Sequence, residues 1–342
     1  METEVKGSAA KSAGEVSVVE SAGEVSVVES AGDRASRKGR KGFLAGGEAW
    51  SRIRKHLRSD VLFIFALVVV GVSLVLMVVG PYVGPCDPER AYPGSASIPP
   101  PRLVEVPGLL VEGLRGEREE PVHWFGTDAS GLDIFSRVVA APRTDIFIAL
   151  TATLIAAIGG SLLGVLAGFY RGWASELLMR ISDVSQSFPM FILGMVLVAL
   201  AGRNVNNIII ALLAVYGPVF IRLTRSQALS LRDQPFVEAA RAMGNPEIGI
   251  AMKHVLPNAL TPTLVQASAT LGRAILLTSG LSFVGAGVRP PTPEWGSMIS
   301  MGADQVILGE WWPSVFPGLA ISLVVFGYAV VGNRLEEAYG AG

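Results

Sequence analysis

Charged residues, cysteine and histidine are all scarce in this chain of 342 residues. Only 17% of its residues are charged whereas 50% are hydrophobic, a balance that excludes most soluble, disordered and nucleic-acid-binding proteins. The single cysteine, Cys86, excludes a disulfide within the chain, and three widely separated histidines predict no zinc or iron cluster. Lys and Arg number 28 against 29 Asp and Glu, so the net charge of −1 indicates no partner by itself. We therefore expect neither a metal site nor binding to nucleic acid.

Motifs of catalytic chemistry are also missing. The chain contains no Gly-Lys dipeptide, so the phosphate-binding loop G-x-x-x-x-G-K-[ST] cannot be present, and neither G-x-S-x-G nor H-E-x-x-H occurs. The long apolar runs lack acidic residues and histidine, which makes a proton-coupled carrier a poor fit. We expect no catalytic residue, no cofactor and no nucleotide hydrolysis by this chain alone, so it is not predicted to be an enzyme.

Residues 1–45 have the composition of a disordered tail. The nonapeptide at Ser12–Glu20 is repeated identically at Ser21–Glu29, and two copies are too few to build a solenoid. Small and acidic residues leave little surface to bury, and the apolar core of a signal peptide is missing. A lineage-specific docking segment and a wrongly assigned start codon are the alternatives.

Positive charge precedes the first long apolar run. Residues 46–60 are predicted to form a basic cytoplasmic segment, and the wider stretch from 31 to 60 carries Lys and Arg well in excess of Asp and Glu. The uncharged run at 61–82 is long enough to cross a hydrocarbon core of about 30 Å as a helix. Its cationic flank is expected to hold the N-terminus in the cytoplasm.

Five further apolar runs predict an all-α polytopic membrane protein with six transmembrane helices. They cover residues 146–170, 188–202, 206–221, 260–287 and 312–331. Six spans place both termini in the cytoplasm, the acidic segment 83–143 outside, and the basic connector between the fourth and fifth spans inside, as the positive-inside rule requires. Because the third and fourth runs are short, a re-entrant hairpin is the alternative, and it would reverse the sides of everything after it. Residues 144–338 would hold five spans and the connector helices at 234–258.

Arg273 is the one charged residue deep inside a predicted span. An unpaired Arg there would cost about 2.5–3.5 kcal/mol on insertion scales, so its side chain must face protein or water. One interpretation is that Arg273 lines a polar translocation path. The other is that it is hydrogen-bonded to helix-end carbonyl groups or to a partner subunit.

The connector contains local signals for two short helices. Three alanines between residues 239 and 242 favour a helix that another surface can approach closely, and Gly244 supplies the residue that ends it. Asn245 can then cap a second helix, which Leu256-Pro257 is expected to stop. The alternative is an ordinary amphipathic connector that lies on the lipid headgroups.

The connector resembles the EAA signature of ATP-binding-cassette importer permeases, E-A-A-x-x-x-G followed nine residues later by x-x-L-P. The matching positions are Glu238, Ala239, Ala240, Gly244, Leu256 and Pro257. K-H-V-L-P-N at 253–258 is similar to the peptide-importing branch. Further matches are H-W-F-G-T-D-x-x-G-x-D from His123, L-M-R-I-S-D from Leu178, L-S-F-V-G-A-G-V-R-P-P-T-P-E-W-G from Leu281 and F-P-G-L-A-I from Phe316.

The resemblance covers residues 50–340 and implies the C-type transmembrane subunit of a dipeptide or oligopeptide importer of the binding-protein-dependent inner-membrane family. It implies a type I importer permease fold in the plasma membrane. The implied partners are a second homologous permease, two cytoplasmic ATPases that contact the six EAA positions, and an extracytoplasmic solute-binding protein.

Two positions depart from the family pattern, Leu132 where the family usually has Arg, and Thr278 where it usually has Glu. They bear on the substrate, so an importer of oligosaccharides or metal chelates on the same scaffold is one alternative. A membrane scaffold or receptor that docks a partner other than an ATPase is the other.

Overall fold

The computed structural model describes residues 60–92, 94–102, 105–106 and 122–340. Within this part of the chain there are helices and turns but no β-strand, so the predicted all-α class is confirmed. The helices are α1 (Val61–Val83), α2 (Ile134–Ala140), α3 (Pro142–Phe169), α4 (Trp173–Ser187), α5 (Met190–Ala201), α6 (Val205–Leu231), α7 (Pro235–Ala242), α8 (Glu247–Ile250), α9 (Leu256–Phe283), α10 (Trp295–Val306) and α11 (Trp312–Gly340). The predicted tail and residues 46–59 of the basic segment lie outside the described residues.

Four helical stretches are long and apolar enough to cross a membrane: Val61–Val83, Ile134–Phe169, Val205–Leu231 and Trp312–Ala338. The pair α4 and α5, bent by 98°, supplies a fifth if it is one broken span. The bend falls at Phe188-Pro189, and Pro189 lacks the N–H that a continuous helix would need there. α9 contains the remaining predicted span and has 28 residues, but Arg273 and several Ser, Thr and Gln residues make it more polar than the others.

The direction of α3 relative to α6 follows from three close approaches. Glycines of α3 lie against successive positions of α6: Gly160 against Phe220, Gly164 against Ile221 and Gly168 against Ala228. Because both sets of numbers increase together, the two helices are parallel. The segment between them must therefore return the chain, and Val205 at the start of α6 indeed lines the same pocket as Arg143 at the start of α3. α4 and α5 together make that return.

α9 and α11 run in opposite directions. Gly272 of α9 lies against Tyr328 of α11, whereas Gly332, further along α11, lies against Ala269, earlier in α9. The absence of a side chain at these glycines lets the two backbones approach closely, which is the usual way in which helices pack inside a membrane. α9 therefore leads the chain away from the connector, and α11 brings it back.

The first and last helices meet at the connector end of the molecule. Gly327 of α11 packs against Val69 of α1. Near the start of α1, the Asp60 carboxylate accepts hydrogen bonds from the backbone N–H of Leu62 and pairs with Arg334 of α11, Nη2 to Oδ2, at 2.6 Å. The beginning of α1 and the end of α11 consequently lie on the same side.

Candidate functional site at the connector of residues 234 to 258

α7 ends as the sequence predicts. Gly244 has φ +81°, a left-handed conformation that side chains disfavour. Its N–H donates to the Arg241 carbonyl at 2.9 Å, and the next N–H, of Asn245, donates to the Ala240 carbonyl at 3.2 Å. This pair of bonds is the Schellman arrangement, which satisfies carbonyl groups at a helix end and turns the chain sharply.

The second connector helix differs from the prediction at both ends. Asn245 does not cap it, because its side-chain Nδ2 donates back to the Ala240 carbonyl at 3.0 Å and Pro246 occupies the N-cap position. Leu256-Pro257 does not stop it either, since α8 continues through a π-helical turn at Ala251–Val255 directly into α9. Pro257 is the second residue of α9, which directly follows this π-helical turn, and the Leu256 N–H reaches back to the Ala251 carbonyl.

The inner face of the connector is packed onto the ends of two long helices. Val237 and Ala240 of α7 and Ile250 of α8 are buried in a hydrophobic cluster that is separate from the main core. The same cluster contains Phe169 at the end of α3 and Ala228 near the end of α6. A force applied to the connector would therefore reach both parallel helices through direct contact.

The outer face of the connector carries apolar side chains without a partner in the described part of the chain. Met243 is 74% exposed, Ile248 is 50% exposed and Phe236 is 40% exposed. Exposed apolar groups on a short segment mark a surface that another protein or the membrane covers. Sequence reasoning missed these three residues, because an apolar residue in a connector looks the same whether it faces the core or solvent.

An ion pair links α7 to α8 across the turn. Arg241 Nε donates to Glu247 Oε1 at 2.8 Å and Nη2 donates to Oε2 at 3.3 Å. The guanidinium also lies 5.6 Å from the centre of the Phe169 ring. Hydrogen bonding to Glu247 raises the pKa of the Arg241 guanidinium, and the bidentate geometry makes this a charge-assisted pair.

The six residues of the EAA pattern lie together in the connector but differ in environment. Glu238, Ala239, Gly244 and Pro257 are exposed, whereas Ala240 is buried and Leu256 is partly buried against the connector cluster. Ala240 and Leu256 therefore hold the connector to the helices beneath it. Of the four exposed residues, Glu238, Ala239 and Gly244 lie within five residues of Met243 along the chain, whereas Pro257 lies at the start of α9.

Arg273 lies away from the connector, on the face of α9 that borders a cavity of about 340 Å³. Its Nε donates to the Ala269 carbonyl one turn earlier at 3.2 Å, and the side chain stays exposed. Gln186, Tyr216 and Gln266 line the same cavity, although the Tyr216 hydroxyl is itself buried and has no hydrogen-bond partner in the described part of the chain. The bend between α4 and α5 forms the opposite wall.

Both departures from the family pattern are buried. Leu132 is 7% exposed, and its N–H donates to the Asp128 carboxylate at 2.9 Å. Thr278 is fully buried in α9, and its hydroxyl donates to the Ala274 carbonyl at 2.9 Å. Neither side chain reaches the cavity at Arg273.

Residues 160–339, which contain the connector and the helices on which it packs, match the family described as binding-protein-dependent transport system inner membrane component. The chain belongs to this family. The resemblance inferred from the EAA pattern is thereby confirmed, and the protein is a helical inner-membrane transport permease rather than a catalytic enzyme.

Individual relatives align over most of the chain at 35% identity. The dipeptide transport system permease protein DppC of Alkalihalophilus pseudofirmus aligns over 84% of this chain and 88% of its own length. For the probable D,D-dipeptide transport system permease protein DdpC of Escherichia coli the shares are 82% and 88%. For the glutathione transport system permease protein GsiD of an Escherichia coli strain they are 85% and 88%.

Proposed function

We propose that this chain is the transmembrane permease subunit of an ATP-binding-cassette importer of di- or oligopeptides. The observation that carries the proposal is the two-sided connector. Its inner face is packed onto the ends of α3 and α6, and its outer face exposes Phe236, Met243 and Ile248. Such a segment transmits the movement of a docked protein to the helices that line a path.

The partners follow from the same arrangement and from the family. Two separate cytoplasmic ATPases hydrolyse ATP, and one of them covers the exposed connector of this chain. A second, homologous permease completes the translocation path, and an extracytoplasmic solute-binding protein delivers the substrate. Closure of the ATPase dimer moves the connector helices and switches the path between inward-facing and outward-facing states.

The topology that we propose has six spans with both termini in the cytoplasm. The Asp60–Arg334 pair requires an even number of crossings, and the parallel arrangement of α3 and α6 makes α4 and α5 one of them. With α9 as another, the count is six. The basic residues around the connector favour its placement on the cytoplasmic side.

Arg273 is proposed to line the translocation path. It faces a cavity that the side chains of Gln186 and Gln266 also line. A guanidinium in such a cavity can attract a peptide carboxylate as it passes, because charge-assisted hydrogen bonds are stronger than neutral ones. The hydrogen bond to Ala269 holds the side chain without neutralising its charge.

A peptide substrate is proposed because the names of the relatives at 35% identity specify a dipeptide, a D,D-dipeptide and glutathione, all of which are peptides. Vesicles that hold the chain with its ATPases and second permease should take up a labelled dipeptide when supplied with ATP and the binding protein. Uptake of an oligosaccharide or a metal chelate instead would assign the substrate to those classes. Retention of a partner other than an ATPase would support the scaffold alternative.

The docking role is tested by placing one charge on the exposed connector. Met243→Asp should leave folding unchanged, because the side chain is 74% exposed, but should abolish ATPase binding and uptake. The matched control is Ile307→Asp, at a side chain that is 88% exposed just after α10. Normal ATPase co-purification and uptake in the Met243 variant would remove the connector from the mechanism.

A further inference from the structure

Three potential metal ligands from separate segments meet at the end of the molecule opposite the connector. Cys86 follows α1, His123 lies in the loop before α2, and Asp133 is the N-cap residue of α2. The Cys86 sulfur lies 3.8 Å from His123 Nδ1, which in turn lies 2.8 Å from Asp133 Oδ1. All three ligand atoms lie within 4.8 Å of one another.

The cluster is not built as a nucleophile with a general base. In a catalytic triad one ring nitrogen faces the nucleophile and the other is held by the carboxylate. Here a single nitrogen, Nδ1 of His123, is the contact for both Cys86 and Asp133. The only ring nitrogen that could accept the thiol proton is therefore already hydrogen-bonded to the Asp133 carboxylate.

The two ligands at the ends of the cluster are fixed by one residue. The Ser136 hydroxyl accepts a hydrogen bond from the Cys86 N–H at 3.2 Å. The Ser136 N–H donates to Asp133 Oδ2 at 2.8 Å, which leaves Oδ1 turned toward the imidazole. Supporting contacts of this kind orient ligands before a metal arrives.

The ligands are shielded but reachable. Asp133 is fully buried, Cys86 is 5% exposed and the His123 side chain is 11% exposed. Cys86 also lines an open pocket of about 760 Å³, and Asp87 and Glu89 lie on the wall of the same pocket. Carboxylates at an entrance raise the local concentration of cations, although Arg143 on the same wall opposes them.

We propose that Cys86, His123 and Asp133 bind one divalent cation of the zinc class, with water as the fourth ligand. One sulfur, one nitrogen and one oxygen suit Zn²⁺, whose bonds of about 2.0–2.3 Å in a tetrahedral site set ligand atoms about 3.3–3.6 Å apart. The observed separations of 3.8 and 2.8 Å differ from these by about half an ångström or less, and the third pair, Cys86 and Asp133, lies within 4.8 Å, so a modest approach of these two ligands completes the site. On binding, the thiol proton leaves and the ring proton of His123 resides on Nε2.

The bound cation would join the segment after α1 to the start of α2. At this end of the molecule, α1 and the residue after it approach α2 through two glycines, Gly80 against Val139 and Gly84 against Ser136. A ligand that binds only the folded protein stabilises it, and this stabilisation grows with the logarithm of the ratio of the ligand concentration to the dissociation constant. The site would therefore fasten the first span to the core.

The test uses the full chain in lipid nanodiscs, purified through an affinity tag that contains no histidine. Titration with Co²⁺, a spectroscopic substitute for Zn²⁺, should give a thiolate-to-cobalt charge-transfer band that saturates at one ion per chain. Zn²⁺ should displace Co²⁺ and raise the melting temperature. Cys86→Ser should lose the band and His123→Ala should bind at least about 100-fold more weakly, since loss of supporting contacts alone costs about 10–100-fold.

The control is His254→Ala, which removes a histidine of the connector region and should leave the titration unchanged. Cys86→Ser is nearly isosteric and its hydroxyl can take the thiol's place beside His123, so its melting temperature without metal should stay close to that of the parent and report correct folding. Absence of a stoichiometric cobalt band in the parent protein, or the same band in Cys86→Ser, would overturn the proposal. Neither result depends on transport activity.

Discussion

At the scale of single residues, Gly244 is the position where backbone conformation and coupling coincide. It has φ +81°, and a side chain added there would meet open space. Gly244→Val should therefore act through the backbone alone, because a left-handed conformation costs a residue with a side chain about 1–2 kcal/mol of folding free energy. We expect the strained turn to change the direction of α8 and so to move the connector surface away from the ATPase that binds it. We expect reduced ATPase-coupled uptake at equal membrane abundance.

Gly71→Val is the control for Gly244→Val. Gly71 also has open space around it, but it lies inside α1 with an ordinary helical backbone. Uptake should stay normal in this variant. If both variants transport equally well, the turn at Gly244 does not set the direction of the connector.

Single residues predicted the helix ends of the connector correctly where the helix end depends only on the local backbone. Gly244 could be predicted to end α7 because the left-handed turn depends on that residue alone. The stop assigned to Leu256-Pro257 was wrong because burial of Ile250, Ala251 and Val255 in the connector cluster favours a continuous path into α9. The cap assigned to Asn245 was wrong because its side chain bonds to the Ala240 carbonyl of the preceding helix. Packing contacts of this kind leave no local pattern in the sequence.

At the scale of helices, the glycines of α3 make its close contact with α6 possible. A Cβ at Gly164 would lie 2.6 Å from the Ile221 carbonyl oxygen and 2.9 Å from Thr224 Cβ. Gly164→Leu should therefore destabilise the protein by about 1–3 kcal/mol or more, because the two backbones must separate. A lower melting temperature and lower membrane abundance would be measured.

Gly159→Leu is the matched variant for that experiment. Gly159 precedes the contact row on the same helix, and a side chain there meets nothing within 4 Å. It should melt like the parent protein. Equal melting temperatures for the Gly159 and Gly164 variants would contradict the packing of α3 on α6.

The apolar runs predicted where most long helices lie but not how they pair. Pro189 signals a break in sequence, yet the bend of 98° and the return of the chain between parallel helices depend on contacts with α6. The apolar run at 260–287 predicted α9, although the polar residues of this helix lower its mean hydropathy. The Cys86, His123 and Asp133 cluster could not be found from spacing, because its members lie 37 and 10 residues apart.

At the scale of the whole molecule, the helix directions define two opposite ends. One end carries the connector, and the other carries Cys86 and the loop after α10. α3 and α6 lead toward the connector end, α9 leads away, and α11 returns. Asp60 and Arg334 then bring both ends of the described chain to the connector side. If the connector is cytoplasmic, Asp60 and Arg334 must be on the cytoplasmic side too, so a single measurement of sidedness orients the described part of the chain.

Two exposed positions at opposite ends of the molecule allow that measurement. In a Cys86→Ser background, Ile307→Cys should react with a membrane-impermeant thiol reagent in intact cells, because the segment after α10 lies at the outer end. Met243→Cys should react only after the membrane is opened. The side chains are 88% and 74% exposed, so burial would not explain a difference between them. Reversed labelling would invert the topology and place the connector, with its exposed apolar surface, beyond the reach of any cytoplasmic ATPase.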